Sequence, residues 1–116
     1  MKLYGVKTNA NVKKAIKFCE DNAIDCEFVD LKNQNVDPEK INFWLNFCDV
    51  KTIFNTHSTK YKELSDKNIS DASKIEMMAQ DASTIKTPII EHGLGGEVKI
   101  TFGFDEDEYN TTFLAK

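Results

Sequence analysis

Apolar and polar residues alternate along this chain in short runs that predict a succession of small elements. Lys2-Leu3-Tyr4-Gly5-Val6 reads as a strand. Val12, Ala15, Ile16 and Cys19 follow at i, i+3, i+4 and i+7, the stripe of an amphipathic helix. Asn9 or Asn11 can cap its start and Asn22 can stop it. Cys26 to Asp30 alternates as a second strand. A strand-helix-strand unit of this kind predicts parallel neighbours joined by a right-handed crossover. Asp37-Pro38 opens a second helix, with Ile41, Trp44, Leu45 and Cys48 as its inward stripe. Lys51 to Leu64 is less regular, with Ile53, Phe54, Tyr61 and Leu64 as apolar anchors. A third helix starts near Asp71, with Ile75, Met78, Ala79 and Ala82 inward; the Met77-Met78 pair reads as core filler. Thr87-Pro88-Ile89-Ile90 then reads as a strand beginning at a proline. His92 to Gly96 is a turn too long for a two-residue hairpin, and Val98, Ile100 and Phe102 alternate as the returning strand. Gly103 breaks it, and Asp105 to Glu108 begins a last helix with Tyr109 and Phe113 inward.

The order β-α-β, helices, β-β-α predicts an α/β (α+β) thioredoxin-like fold. Such a fold has a four-stranded mixed sheet with helices on both faces, here as a single domain over residues 1–116. In that layout the site lies where the first strand hands over to the first helix, beside a cis-proline at the start of the third strand. The matching segments are Lys7 to Asn11 and Thr87-Pro88.

Composition narrows the chemistry. The 116 residues carry 15 basic and 19 acidic side chains, a formal charge of -4, which argues against direct nucleic-acid binding. No apolar run approaches the ~18 residues of a membrane span, and no signal peptide is evident, so a cytoplasmic location is expected. All the basic residues are lysines. Without arginine there is no bidentate fork for an oxyanion, so an anion site would rest on Lys, His or backbone N–H groups. The cysteines Cys19, Cys26 and Cys48 form no C-x-x-C, and neither His57 nor His92 stands at zinc-ligand spacing, so no metal is expected.

Four segments in order resemble the arsenate reductase (ArsC)/Spx family, and together they cover essentially the whole chain. Gly5-Val6-Lys7-Thr8-Asn9-Ala10-Asn11-Val12-Lys13-Lys14-Ala15 is similar to the family's G-[IV]-K-N-C-D-T-[IV]-K-K-A. Asn55 to Leu64 resembles N-T-R-G-T-x-[WY]-R-K-L, and Ile85 to Ile90 resembles I-K-R-P-[IVL]-[IVL]. Gly103 to Tyr109 resembles G-F-[DS]-x-x-x-Y. Family enzymes use the Cys of the first motif as a thiolate nucleophile at a helix N-terminus. The matching residue here is Asn9, and His57, Lys62 and Thr87 stand where relatives carry arginine.

A carboxamide is no nucleophile of this kind. Cys19, on the apolar stripe about 15 Å along the helix from Asn9, reads as an inert core thiol. Cys26 is expected at the opposite end of the β-α-β unit and Cys48 in the second helix's stripe, so none inherits the role. Lys13, Lys14 and Lys17 place positive charge at the positive end of the first helix. That pattern fits either a solvated lysine face or an anion site. His57 reads as a surface loop histidine or as a conditional positive charge. The ligand-binding candidates are therefore Thr8, Asn9, Ala10, Asn11, Lys13, His57, Lys62, Thr87 and Pro88.

Two functions compete. The first is a non-catalytic binding or regulatory protein on the family scaffold, with a degenerate site. The resemblance implies RNA polymerase, or a glutaredoxin or thioredoxin, as partner. The second is an ArsC-like, glutathione- or thiol-dependent reductase, an oxidoreductase in which an external thiol supplies the chemistry. No cofactor is expected, with glutathione as the one small ligand that the resemblance brings in.

Overall fold

The computed structural model describes residues 1–32, 35–93 and 97–114. The chain gathers into two compact units, Met1–Val29 with the chain from Thr87 onward, and Asp30–Lys86. In sequence order the regular elements are β1 (Lys2–Gly5), α1 (Ala10–Asp21), β2 (Glu27–Asp30), α2 (Pro38–Trp44), α3 (Val50–Ile53), α4 (Thr59–Lys62), α5 (Asp71–Gln80), β3 (Ile89–His92), β4 (Lys99–Phe102) and α6 (Glu106–Tyr109). A 3-10 turn spans Ala82–Thr84, and α6 runs into a π-helical turn over Asn110–Leu114. Among the described residues no helix is long and apolar enough to cross a membrane.

The strands form one four-stranded mixed sheet in the order β2-β1-β3-β4. The β1–β3 and β3–β4 pairs are antiparallel. Tyr4 lies opposite Ile89 and Leu3 opposite Ile90, and Ile90 in turn lies opposite Thr101. Residues directly opposed share a face, so Leu3, Ile90 and Thr101 point one way and Tyr4, Ile89 and Phe102 the other. The first face meets α1: Leu3, Val12, Ala15, Phe18, Ile90 and Tyr109 form one buried cluster. The Tyr109 ring makes edge-to-face contacts with Phe18, Phe104 and Phe113, at centroid distances of 5.4, 4.8 and 5.3 Å. Such pairs add to the burial itself because ring edge and ring face carry opposite partial charge.

Val98, expected within the returning strand, precedes β4 and is 49% exposed, and Thr101, between Ile100 and Phe102, is the buried residue of the strand. The register decides this, since it is Thr101 that stands beside Ile90. Its hydroxyl is accommodated by a 2.8 Å hydrogen bond with His92 Nε2. His92 therefore closes β3 rather than sitting in a turn, and its ring lies edge-on to Phe113 at 4.9 Å. Of the expected turn after it, Leu94, Gly95 and Gly96 lie outside the described residues.

In the second unit, α2 ends at Trp44, so Leu45 and Cys48 fall beyond the helix and are half-buried. The irregular stretch after Lys51 contains the one-turn helices α3 and α4. Phe54 bridges Ile85, and Asn55 and Lys86 donate backbone hydrogen bonds to Thr84 and Ile53, at 2.7 and 2.6 Å. Ser58 caps α4 and Ser70 caps α5, each accepting a backbone N–H with its side chain.

Candidate functional site

Asn9 is the N-cap of α1. The chain leaves β1 at Gly5 and turns, with Asn9 N–H donating to the Val6 carbonyl at 2.9 Å. Asn9 then holds an extended backbone (φ -74°, ψ 129°), and its Oδ1 accepts from the N–H groups of Asn11 and Val12 at 2.8 and 3.2 Å. The first helical bond runs from Lys13 N–H to the Asn9 carbonyl at 3.0 Å. Two of the four donors that a helix start leaves unpaired are thus taken up by a neutral amide oxygen.

Gly5 fixes where this cap sits. A Cβ at Gly5 would lie 2.6 Å from Val12 Cγ2, and Val12 is fully buried and β-branched. Only glycine lets the end of β1 pass so close to the first turn of α1. Because Tyr4 opposes Ile89, the chain leaves β1 and enters β3 at the same end of the sheet. That end therefore carries Thr8, Asn9, Ala10, Asn11 and Lys13 from the α1 side and Thr87-Pro88 from the β3 side. The Thr87–Pro88 peptide is cis, and both residues are buried. Thr8, Asn9, Ala10, Asn11 and Lys13 are exposed.

Gly103 ties Pro88 to the C-terminal helix. At φ +78°, a left-handed value suited to glycine, it donates its N–H to the Pro88 carbonyl at 2.8 Å and accepts the Tyr109 hydroxyl at 2.6 Å. Burial above all pushes the Tyr109 hydroxyl pKa up, so it stays protonated and donating. The acidic run that follows is a helix start: Asp105 Oδ1 accepts from Glu108 N–H at 3.1 Å.

The charge at the cap is all positive. The first turn of α1 has no acidic residue, while Lys13 and Lys14 are exposed in its first half and Lys17 just past its middle. Lys17 pairs with Asp21 at 3.4 Å in the open, where screening leaves it little weight. Lys7 Nζ stands 5.6 Å from the Phe28 ring centre. His57 and Lys62 belong to the other unit. His57 is exposed in the loop before α4, with its N–H donating to Asn55 Oδ1 at 3.0 Å; Lys62 is exposed at the end of α4.

The thiols lie elsewhere. Cys48 is half-buried, its Sγ 3.7 Å from the Trp44 carbonyl, and burial with Asp49 beside it pushes its pKa up. Cys19 is buried in α1 and Cys26 half-buried just before β2, away from the α1 cap as expected. Sequence reasoning took these two separately and missed that they are near enough to shift one another's pKa, Cys19 down and Cys26 up. The signal was their seven-residue spacing across a helix that stops between them.

Chemically, the α1 cap is a hydrogen-bonding surface without an ionisable nucleophile. It offers amide, hydroxyl and lysine groups to a polar or anionic ligand. Among the described residues no three His, Cys, Asp or Glu side chains gather as a metal site.

Comparison with known proteins places this arrangement. The chain is 29% identical over 103 residues to the Bacillus subtilis protein YusI, with 84% of each chain covered. A solved structure of a protein called YFFB superposes with a TM-score of 0.82 at 28% identity, covering 95% of this chain and 96% of that one. An arsenate reductase (ArsC) related protein from Brucella melitensis superposes with a TM-score of 0.72 at 29% identity, covering 97% and 92%. The ArsC family model matches residues 4–112. With the family model matched over nearly its whole length, the chain belongs to the ArsC family.

Proposed function

We propose that this ArsC-family chain is a non-catalytic binding or regulatory protein. The observation that carries this reading is the state of Asn9: its carboxamide oxygen is bonded to the N–H groups of Asn11 and Val12 at the α1 N-terminus. A thiolate at that point would be stabilised by the same donors and by the helix dipole. An amide takes the hydrogen bonds but has no proton to lose near neutral pH and no electron pair for attack on a disulfide or an oxyanion. What remains supports recognition: exposed Thr8, Asn11, Lys13 and Lys14 around the cap, with the buried Thr87-Pro88 segment at the same sheet end. Glutathione or a similar anionic thiol suits such a surface, and RNA polymerase, a glutaredoxin or a thioredoxin are the protein partners to test by co-purification.

The kinship to an arsenate reductase related protein supports one other reading, a reductase in which an external thiol does the chemistry. A turnover assay separates the two. Arsenate and disulfide reduction are measured with glutathione and glutaredoxin, for the natural chain and for Asn9→Cys. Rates at background for the natural chain fit the binding role. Turnover above background by the natural chain would establish the reductase reading in its place.

A further inference from the structure

We infer that the outer edge of β4 pairs with the same edge of a second copy of this chain, antiparallel about a two-fold axis at Val98, so that the two sheets continue into one. This interface is separate from the α1 cap and independent of the function proposed above.

The order β2-β1-β3-β4 makes β4 an edge strand, and among the described residues no strand lies beyond it. Two observations fix which of its backbone groups turn inward to β3. Gly103 N–H donates to the Pro88 carbonyl at 2.8 Å, continuing the register in which Phe102 opposes Ile89. Before the strand, a Cβ added to Gly93 would run into the Glu97 carbonyl, so that carbonyl also turns toward β3. Hydrogen-bonding groups alternate sides from residue to residue along an antiparallel strand. Residues 97, 99, 101 and 103 therefore turn theirs to β3, and Val98, Ile100 and Phe102 turn theirs outward. An outward row of donors and acceptors is a template for another strand.

The side chains at this edge select the strand that fits. Val98 is among the few large apolar residues left exposed, and Glu97 and Lys99 on either side of it are exposed as well. The triplet Glu97-Val98-Lys99 is its own antiparallel complement. With the axis at Val98, the two valines stand opposite each other, and Glu97 of each chain stands opposite Lys99 of the other. The outward N–H and C=O groups of the two valines then exchange a pair of hydrogen bonds, while the side chains pair valine to valine on one face and carboxylate to ammonium on the other. A lysine on an edge strand ordinarily discourages pairing; a second copy supplies the carboxylate that answers it, and does so twice. The opposite edge of the sheet has no such match, because β2 carries Glu27 and Asp30 at its ends and no basic residue. Exposed ion pairs add little affinity, so the backbone bonds and the covered valines hold the two copies together and the charges set register and partner.

The test is sedimentation equilibrium of the full natural chain. The mass should rise from 13.2 kDa to twice that value and no further, at protein concentrations up to about 1 mM, the weak end of specific association. Glu97→Lys and Lys99→Glu should each weaken the dimer about tenfold or more, because the axis counts each change twice and turns attraction into repulsion. Combining the two reverses both charges and should restore the natural dissociation constant. Val98→Lys sets like charges across the axis and should leave a monomer with the natural urea midpoint, since that side chain is exposed. A monomer at every concentration, an assembly that keeps growing past the dimer through unlike edges, or a double variant as weak as the single ones would each overturn the inference.

Discussion

The two ends of α1 hold opposite chemistry. At the N-terminal end, backbone donors and lysines create a place where an anion would be welcome, and the side chain there is a neutral amide, Asn9. At the C-terminal end, where the helix dipole disfavours an anion, Cys19 is buried and Cys26 half-buried just before β2. The helix dipole is therefore separated from sulfur in this chain. The donors and the sulfur stand at opposite ends of one helix: backbone N–H groups at one, a buried and a half-buried thiol at the other.

The comparison can be broken most forcefully by bringing sulfur to the first end. Asn9→Cys should give a thiol with a pKa at or below about 7.5, the range for helix N-termini. Its alkylation rate with iodoacetamide against pH would show this, and a midpoint near 8.5 or above would mean the cap donors do not act as argued. Gly5→Ala tests the steric seat of the same end. A methyl 2.6 Å from Val12 Cγ2 should cost about 1–3 kcal/mol, the range for overpacking, read by urea denaturation. Ala23→Gly tests the other end. Ala23 follows α1 in a left-handed conformation, φ 53°, and relieving it should stabilise the chain by about 0.5–1 kcal/mol; an unchanged midpoint would remove strain from the account.

The smallest effect is a pH slope. Burial first, then Lys99 and the α-amino group, hold the His92 pKa below its ordinary value. The unfolded chain then binds the proton before the folded one does. Stability should fall as pH drops from about 7 through the unfolded value near 6.5 to the lower folded value, and level off below it. Thermal melts between those limits should show the slope in the natural chain and lose it in His92→Gln.

Much of this was legible in the residues. The strand-helix-strand opening, Asn9 as one of two caps, Asn22 at the helix stop and proline before the third strand all have local causes: side-chain oxygens that take N–H groups, and a ring that sets φ. Four-residue helices such as α3 and α4 show no period to read. The burial of Thr101 depends on strand register, which no single strand carries. The path of the chain from Cys19 to Cys26 depends on a backbone reversal at Ala23, a residue type that does not advertise a left-handed turn.

The hydroxyl of Tyr109 and its three ring contacts have a consequence for synthesis. The cluster that holds β1 and α1 includes a residue more than eighty positions downstream of them. As the ribosome extends the chain, residues 30–86 emerge in full before the first unit has its last partner. The opening segments must wait, with Leu3, Val12 and Phe18 uncovered by Tyr109, until translation has passed that tyrosine. A nonsense codon a few positions before it would strand the N-terminal quarter of the chain without the ring that completes its core.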